Sequence, residues 1–147
     1  MRNQQGISVI GVIILLFILV VMYINYQEDT EDTSRFPVSN ASYDVLNSSI
    51  GCKSKLSNSK KDDVFNHRYR NHWMTWSGTI DLADSDDASI NIDGEGAQDL
   101  IVDFEDKQAG YNLQKGDRVS VRFVMKTPGG CFLPFSGAHG EVLSVAR

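Results

Sequence analysis

The stretch HWMTWSGTIDL, residues 72–82, carries the pattern from which we predict the fold of this chain. Its large apolar residues recur at even spacing, which indicates a β-strand buried on one side. The side chains expected on the buried face are those of Met74, Trp76, Ile80 and Leu82. Gly78 interrupts the series and predicts a bend or bulge in the strand. A half-buried strand needs partners, so the rest of the chain is expected to supply them.

Four later segments have strand-like patterns and are separated by turn-forming residues. They are SINID (89–93), DLIVDFE (99–105), DRVSVRFVM (117–125) and GEVLSV (140–145), with the turns ADSDDA, DGEGAQ, LQKGD and TPGG between the strands. Gly, Pro and Asp in such clusters are typical of loops between strands. Five short strands predict a small twisted barrel or sandwich.

The segment from Ser42 to His72 has a different period and predicts one or two short helices before the strands. Val45, Leu46 and Ile50 form one apolar patch at helical spacing. A second helix is expected to begin after a cap at Ser57 or Ser59. Its buried face would carry Val64, Phe65 and Tyr69.

The order of these elements resembles the OB-fold. It is most similar to small bacterial, membrane-attached or periplasmic OB-like domains of the tRNA-anticodon-binding-like type. The residues that carry the resemblance are YRNHWMTWSGTI (69–80) and LQKGDRV (113–119). The resemblance covers about residues 43–147 and implies a mainly β, five-stranded OB-like barrel preceded by one or two short helices. It implies a fold more than a function.

The N-terminus predicts a transmembrane helix over residues 7–26. Residues 7–24 carry no charge, and as a helix they would span roughly 27 Å, close to the hydrocarbon thickness of a bilayer. The run is longer than the apolar region of a cleaved signal peptide and has no small-x-small cleavage site at its end. The chain then divides into a short cytoplasmic N-terminus (1–6), the membrane helix, a linker (27–42) and the OB-like domain (43–147).

The flanking charges predict the orientation. Arg2 precedes the helix, and acidic residues from Glu28 onwards follow it, which favours a cytoplasmic N-terminus and an extracytoplasmic domain. We therefore expect a single-pass protein of a bacterial inner membrane whose C-terminal domain is periplasmic.

The same stretch, QQG followed by ISVIGVIILLFILVV, also resembles type IV pilin-like proteins. That resemblance implies processing after Gly6, with Ile7 as the new first residue. Gly11 departs from it, because the family usually has Glu at that position. The acidic linker also interrupts the long helix typical of the family.

Charge argues against nucleic acid as the partner. The chain has 14 basic and 19 acidic residues, a formal net charge of -5. Oligomer-binding OB-folds use the face of strands 2 and 3 and nearby loops. The predicted counterparts here are rich in acids, which would repel phosphates. They include Asp84, Asp86, Asp87, Asp93, Glu95, Asp99, Asp103 and Glu105.

Two sets of residues are candidates for contact with a partner. The first is Arg68, Arg70 and Trp73, from a stretch in which basic and aromatic residues alternate. The alternative for this stretch is that Phe65, Tyr69 and Trp76 are core and the bases are a solvated helix end. The second set is Phe132, Leu133 and Phe135, in the loop TPGGCFLPFSGAHG. These could be exposed for a partner or could cap the end of the barrel.

No motif predicts catalysis, a metal or a cofactor. Placing Gly94 sixth in an EF-hand loop puts Leu100 at the twelfth position, where the motif requires Glu. Ser136, His139 and Glu141 lie within one loop, and a catalytic triad needs separately supported members. We therefore expect a protein that is not an enzyme.

The two cysteines, Cys52 and Cys131, predict a disulfide if the domain lies outside the cytoplasm. The alternative is a pair of buried free thiols. A bond between them would tie the helical segment to the loop before the last strand.

Together these patterns predict a non-catalytic binding or assembly module, anchored in the lipid bilayer through residues 7–26 and in contact with an envelope protein. One alternative is an OB module that binds single-stranded nucleic acid or glycan. The other is a pilin-like subunit of a secretion or DNA-uptake system.

Overall fold

A computed structural model of the chain describes residues 11, 13–18 and 31–147. The chain divides into two compact units, Met1–Thr33 and Ser34–Arg147. In the first unit, Gly11 and residues 13–18 are helical. The predicted transmembrane helix at residues 7–26 falls largely outside the described residues, as does the predicted N-terminus at 1–6. Among the described residues, no helix has the length and apolar content needed to cross a bilayer.

The second unit is a closed five-stranded β-barrel, as the turn-separated apolar segments predict. Its strands are β1 (Trp73–Ala83), β2 (Asp87–Asn91), β3 (Leu100–Phe104), β4 (Arg118–Thr127) and β5 (Phe135–Ala146). They lie in the order β1-β2-β3-β5-β4, and β4 pairs again with β1 to close the barrel. The β3–β5 pair is parallel and the other pairs are antiparallel. This mixed barrel is consistent with an OB-like fold.

Two short α-helices precede the barrel, as predicted. Helix α1 is Tyr43–Ser49 and helix α2 is Asn58–Arg68. Ser42 caps α1 by accepting a hydrogen bond from the backbone N–H of Val45. Ser57 occupies the cap position of α2, although its side chain makes no capping bond. A short 3-10 helix, η1 (Thr33–Arg35), lies before α1, and another, η2 (Ala109–Asn112), connects β3 to β4.

The end of the predicted linker runs beside the start of β1. Trp73 donates its backbone N–H to the carbonyl of Pro37, and its own carbonyl accepts from the backbone N–H of Ser39, both at 2.8 Å. Val38 forms a parallel bridge to the same residue. Residues 37–39 are thus held against the barrel.

The core lies inside the barrel and contains most of the residues that the period of two assigns to it. Met74, Trp76 and Ile80 of β1 are at most 4% exposed. The inward residues of the other strands are similarly buried, and they include Ile90, Leu100, Val102, Phe104, Val119, Val121, Phe123 and Met125. Leu46, Ile50 and Phe65 from the helical segment complete the core.

The prediction for Leu82 is wrong, since its side chain is 67% exposed. The register between β1 and β2 shifts between Ile80 and Leu82, so the bulge lies there and not at Gly78. A bulge inserts one residue and moves the following side chain to the other face of the sheet. Gly78 instead permits close approach, because a Cβ there would lie 2.5 Å from the carbonyl oxygen of Asn91.

The last strand begins at Phe135, five residues before the predicted GEVLSV segment. Its first half contains Gly137 and Gly140, where no side chain marks the alternation. A Cβ on Gly137 would meet the ring of Phe123, and one on Gly140 would meet Val102 and Phe104. Side chains from neighbouring strands fill the space at these two positions, so glycine is required there. The sequence pattern instead predicts a loop in this part of the chain.

We expect the substitution Gly137→Ala to lower the free energy of unfolding by about 1–3 kcal/mol, because the added methyl group overpacks a fully buried ring. Gly130→Ala is the matched control, since a Cβ there has nothing within 4 Å. Denaturant unfolding of the full chain under non-reducing conditions measures both. Equal unfolding midpoints for the two variants would contradict this packing.

Candidate functional site

The predicted disulfide is present between Cys52 and Cys131, whose Cα atoms lie 4.4 Å apart. It joins the connection between α1 and α2 to the loop between β4 and β5, across a sequence separation of 79 residues. Closing a loop of this length typically stabilises a fold by about 2–4 kcal/mol. Both cysteines are exposed, so the bond joins two segments at the surface, outside the hydrophobic core.

The β4–β5 loop presents two bare apolar side chains beside this disulfide. Phe132 is 97% exposed and Leu133 is 73% exposed. The backbone N–H of Gly130 donates to the carbonyl of Leu133 at 2.8 Å, which closes the loop into a compact turn. We call Phe132 and Leu133 the apolar tip.

Phe135 does not share the exposure of the tip, and its burial corresponds to the second of the two alternatives, in which the aromatic residues cap the end of the barrel. It is 3% exposed, and its ring lies edge-on to those of Tyr43 and Trp76, with centroids 6.0 and 5.6 Å away. As the first residue of β5 it points into the barrel. The two alternatives for this loop are therefore divided between its residues: Phe135 caps the core, and Phe132 and Leu133 face outward.

A cavity of about 630 Å³ opens next to the apolar tip. Its walls come from α1, the β2–β3 loop, the disulfide and the β4–β5 loop, and include Tyr43, Asn47, Asp93, Glu95, Phe132 and Leu133. We call it the barrel-end cavity. It lies at the end of the barrel where β2 and β4 finish, whereas the β1–β2 loop lies at the other end.

A hydrogen-bond network joins the helix to the β2–β3 loop at the floor of this cavity. The Tyr43 hydroxyl donates to Asp99 Oδ1 at 2.6 Å and accepts from the side-chain amide of Asn47 at 3.2 Å. The second oxygen of Asp99 accepts from the backbone N–H groups of Ile92, at 2.7 Å, and Asp93, at 3.1 Å. Asp99 thus fixes both the loop and the helix that covers it.

The environment keeps Tyr43 protonated. Burial raises the pKa of Tyr43 well above its ordinary range, and the hydrogen bond to Asp99 raises it further. The negative charges of Asp99, Asp93 and Asp44 act in the same direction. The hydroxyl therefore stays protonated near neutral pH and donates to Asp99.

The other predicted contact residues lie elsewhere. Arg68 is exposed at the end of α2, and the guanidinium of Arg70 lies 5.5 Å from the ring centroid of Phe65. Trp73 is 8% exposed, and Arg122 lies over its ring at 4.1 Å. None of these three predicted residues lines the barrel-end cavity. Phe65, Tyr69 and Trp76 are buried, which confirms the core assignment for the aromatic residues of this stretch.

Ser136, His139 and Glu141 lie on strand β5 and not in a loop, and each has a separate partner. Ser136 is hydrogen bonded to Thr127 at 2.6 Å, and Glu141 lies 3.5 Å from Arg122. His139 Nδ1 contacts Glu105 at 2.5 Å. In the described part of the chain, no group of three or more His, Cys, Asp or Glu side chains is arranged to hold a metal ion.

Fewer acids lie on strands 2 and 3 than the sequence predicts, because only Asp87 and Asp103 fall within β2 and β3, while Asp93, Glu95 and Asp99 lie in the loop between them. Asp87 and Asp103 are direct partners across β2 and β3. Partial burial raises the pKa of Asp87, and the charges of Asp86, Asp103 and Asp84 raise it further. Like charges directly opposite one another repel. This part of the sheet therefore carries a concentration of negative charge.

Sequence reasoning missed Tyr43, Asn47 and Asp99 as site residues. The sequence identifies Asp99 only as one of several acids and predicts no role for Tyr43 or Asn47. Their contact joins positions 56 residues apart, and no motif connects them.

Comparisons with known proteins add no relative: no family model, curated protein or solved structure was found that matches this chain.

We expect Tyr43→Phe to lower the free energy of unfolding by about 1–3 kcal/mol, because it leaves Asp99 and Asn47 without the hydroxyl partner in a desolvated site. Tyr111→Phe is the matched control, as Tyr111 is 74% exposed. It should change stability by less than about 0.5 kcal/mol. Equal effects of the two substitutions in chemical denaturation would show that the Tyr43–Asp99 bond contributes nothing.

Proposed function

We propose that the protein is a membrane-anchored, non-catalytic binding module whose OB-like domain contacts an envelope protein outside the cytoplasm. The observation that carries the proposal is the apolar tip, with Phe132 and Leu133 exposed beside a cavity on a covalently tethered loop. Exposed large apolar side chains grouped on a rigid support are typical of protein contact sites.

The anchor is supported by the composition of the N-terminal segment. Residues 7–24 carry no charge. The described helical residues from Ile13 to Ile18 are all apolar and between 48 and 70% exposed. Such a surface is costly in water and favourable in lipid. Residues 7–26 are therefore proposed to lie in a bacterial inner membrane.

The extracytoplasmic placement is supported by the disulfide. Structural disulfides persist in oxidising compartments such as the periplasm and are rare in the cytosol. The acids that follow the apolar segment and Arg2 before it favour the same orientation. The OB-like domain of the tRNA-anticodon-binding-like type remains the family proposed for the barrel, on the residues at 69–80 and 113–119.

The absence of catalysis is proposed from the roles of the polar groups near the cavity. Tyr43 and Asp99 bond to one another and to the backbone, and the raised pKa of Tyr43 disfavours proton transfer. Ser136 and Glu141 are hydrogen bonded to residues of β4.

The alternatives are less well supported. Binding of single-stranded nucleic acid would place phosphates against the acidic β2–β3 surface. A neutral glycan would not meet that repulsion, but no observation favours it over a protein. The pilin-like alternative depends on processing after Gly6, which lies outside the described residues, and Gly11 lacks the family's acidic side chain.

A photo-crosslinking amino acid at position 132 should capture one membrane-associated protein of defined mass in intact cells, because the tip is proposed to lie in the interface. The same amino acid at position 111 is the control, since Tyr111 is similarly exposed but lies beside the β1–β2 loop. Gel mobility and mass spectrometry of the adducts give the measurement.

Point replacement is a sharper test than deletion of residues 127–137. Deletion would remove the disulfide and the core residue Phe135 together with the tip. Equal adducts from positions 132 and 111, or no protein adduct at position 132, would contradict the proposed contact.

A further inference from the structure

Two more cavities adjoin the barrel-end cavity and extend it into a track. A cavity of about 270 Å³ shares Tyr43 and Asp93 with it. A third, of about 450 Å³, shares Ser77, Ile92 and Asp93 with the second. The track therefore leads from the apolar tip, past Tyr43, to the region where β1 and β2 approach each other. An elongated ligand fits this shape better than a compact one.

The charge along the track is predominantly negative. Four carboxylates line it, those of Asp44, Asp93, Glu95 and Asp99, against the two basic groups of Lys53 and Arg118. Asp93 lies where all three cavities meet. Asp93 and Glu95 are exposed, so their charges face solvent, Asp93 where the cavities meet and Glu95 in the barrel-end cavity.

The two carboxylates differ from Asp99 in how their side chains are used. Asp99 is bound by Tyr43 and two backbone N–H groups, which satisfy much of its capacity to accept hydrogen bonds. One oxygen of Asp93 accepts from the backbone N–H of Glu95 at 2.9 Å. The remaining carboxylate oxygens of Asp93 and Glu95 are suited to accept hydrogen bonds from a cationic ligand group.

We propose that the track binds an extended, basic segment of the partner protein, in which an apolar side chain packs on the apolar tip and a neighbouring Lys or Arg pairs with Asp93 and Glu95. The proposal rests on the proposed protein-binding function and specifies the chemistry of the partner. Charge complementarity selects this occupant, because the same acids repel an acidic peptide or a nucleic acid. Polar groups along the track, such as the exposed side chains of Ser77 and Thr79, can bond to the backbone of an extended chain.

The test uses the detergent-solubilised full chain with its disulfide intact and three short labelled peptides. One alternates Lys and Phe, the second has Glu in place of Lys, and the third has Ser in place of Phe. Fluorescence anisotropy measures binding, with protein-free micelles as the blank. Labelled oligothymidylate and a neutral chitin oligosaccharide serve as probes for the two other ligand classes.

The Lys-Phe peptide should bind, and its affinity should fall as the salt concentration rises, because salt partly screens its charges. The paired substitution Asp93→Asn and Glu95→Gln should lower the affinity for the Lys-Phe peptide by about tenfold or more, since each change keeps an oxygen but removes a charge. Phe132→Ser with Leu133→Ser should have a similar effect. Asp62→Asn with Asp63→Asn on α2 removes equal charge outside the track and should leave binding unchanged.

Other outcomes overturn the proposal in distinguishable ways. If Lys-Phe and Glu-Phe peptides bind equally and only the tip substitution matters, the basic segment is wrong and the protein-binding function stands. If Asp62→Asn with Asp63→Asn weakens binding as much as the paired change at Asp93 and Glu95, the attraction is general and the track is not the site. Binding of oligothymidylate or the oligosaccharide without binding of any peptide would overturn both proposals.

Discussion

The Cys52–Cys131 bond is the constraint on which the candidate site depends. Helix α1 has only seven residues, too few to be stable in water by itself. It is held by burial of Leu46 and by the Tyr43–Asp99 hydrogen bond. The disulfide then joins the connection that follows α1 to the β4–β5 loop. Helix, loop and barrel end are thereby fixed as one wall of the barrel-end cavity.

This arrangement separates packing from recognition within a few residues. Phe135 completes the aromatic core with Tyr43 and Trp76, while Phe132 and Leu133 are left exposed three and two residues earlier. A flexible loop would lose conformational entropy when it binds a partner. A loop tethered at Cys131 has already lost part of that freedom, so it would lose less entropy on binding. This favours a contact in which the apolar tip keeps its present conformation.

The barrel was predictable because its strands are buried on one side, so that apolar and polar residues alternate along β1 and β4. The prediction failed where a backbone irregularity or a glycine breaks that relation. The bulge before Leu82 turns the side chain of Leu82 to the outer face of the sheet. Gly137 and Gly140 have no side chains to show the alternating pattern, so the first half of β5 is not recognisable as a strand. The disulfide was predictable because only two cysteines are present and the N-terminus predicts an oxidising compartment. The Tyr43–Asp99 contact was not, since it forms only when the fold brings distant segments together and no local pattern specifies it.

The disulfide and the Tyr43–Asp99 bond together hold α1 and the β4–β5 loop as one wall of the site. Amide hydrogen exchange of the full chain, compared before and after selective reduction, tests this arrangement most directly. We expect faster exchange in α1 and in residues 128–134 on reduction, with protection retained in β1, β2 and β3. Unchanged protection of α1 and the loop after complete reduction, or equal loss throughout the barrel, would contradict it.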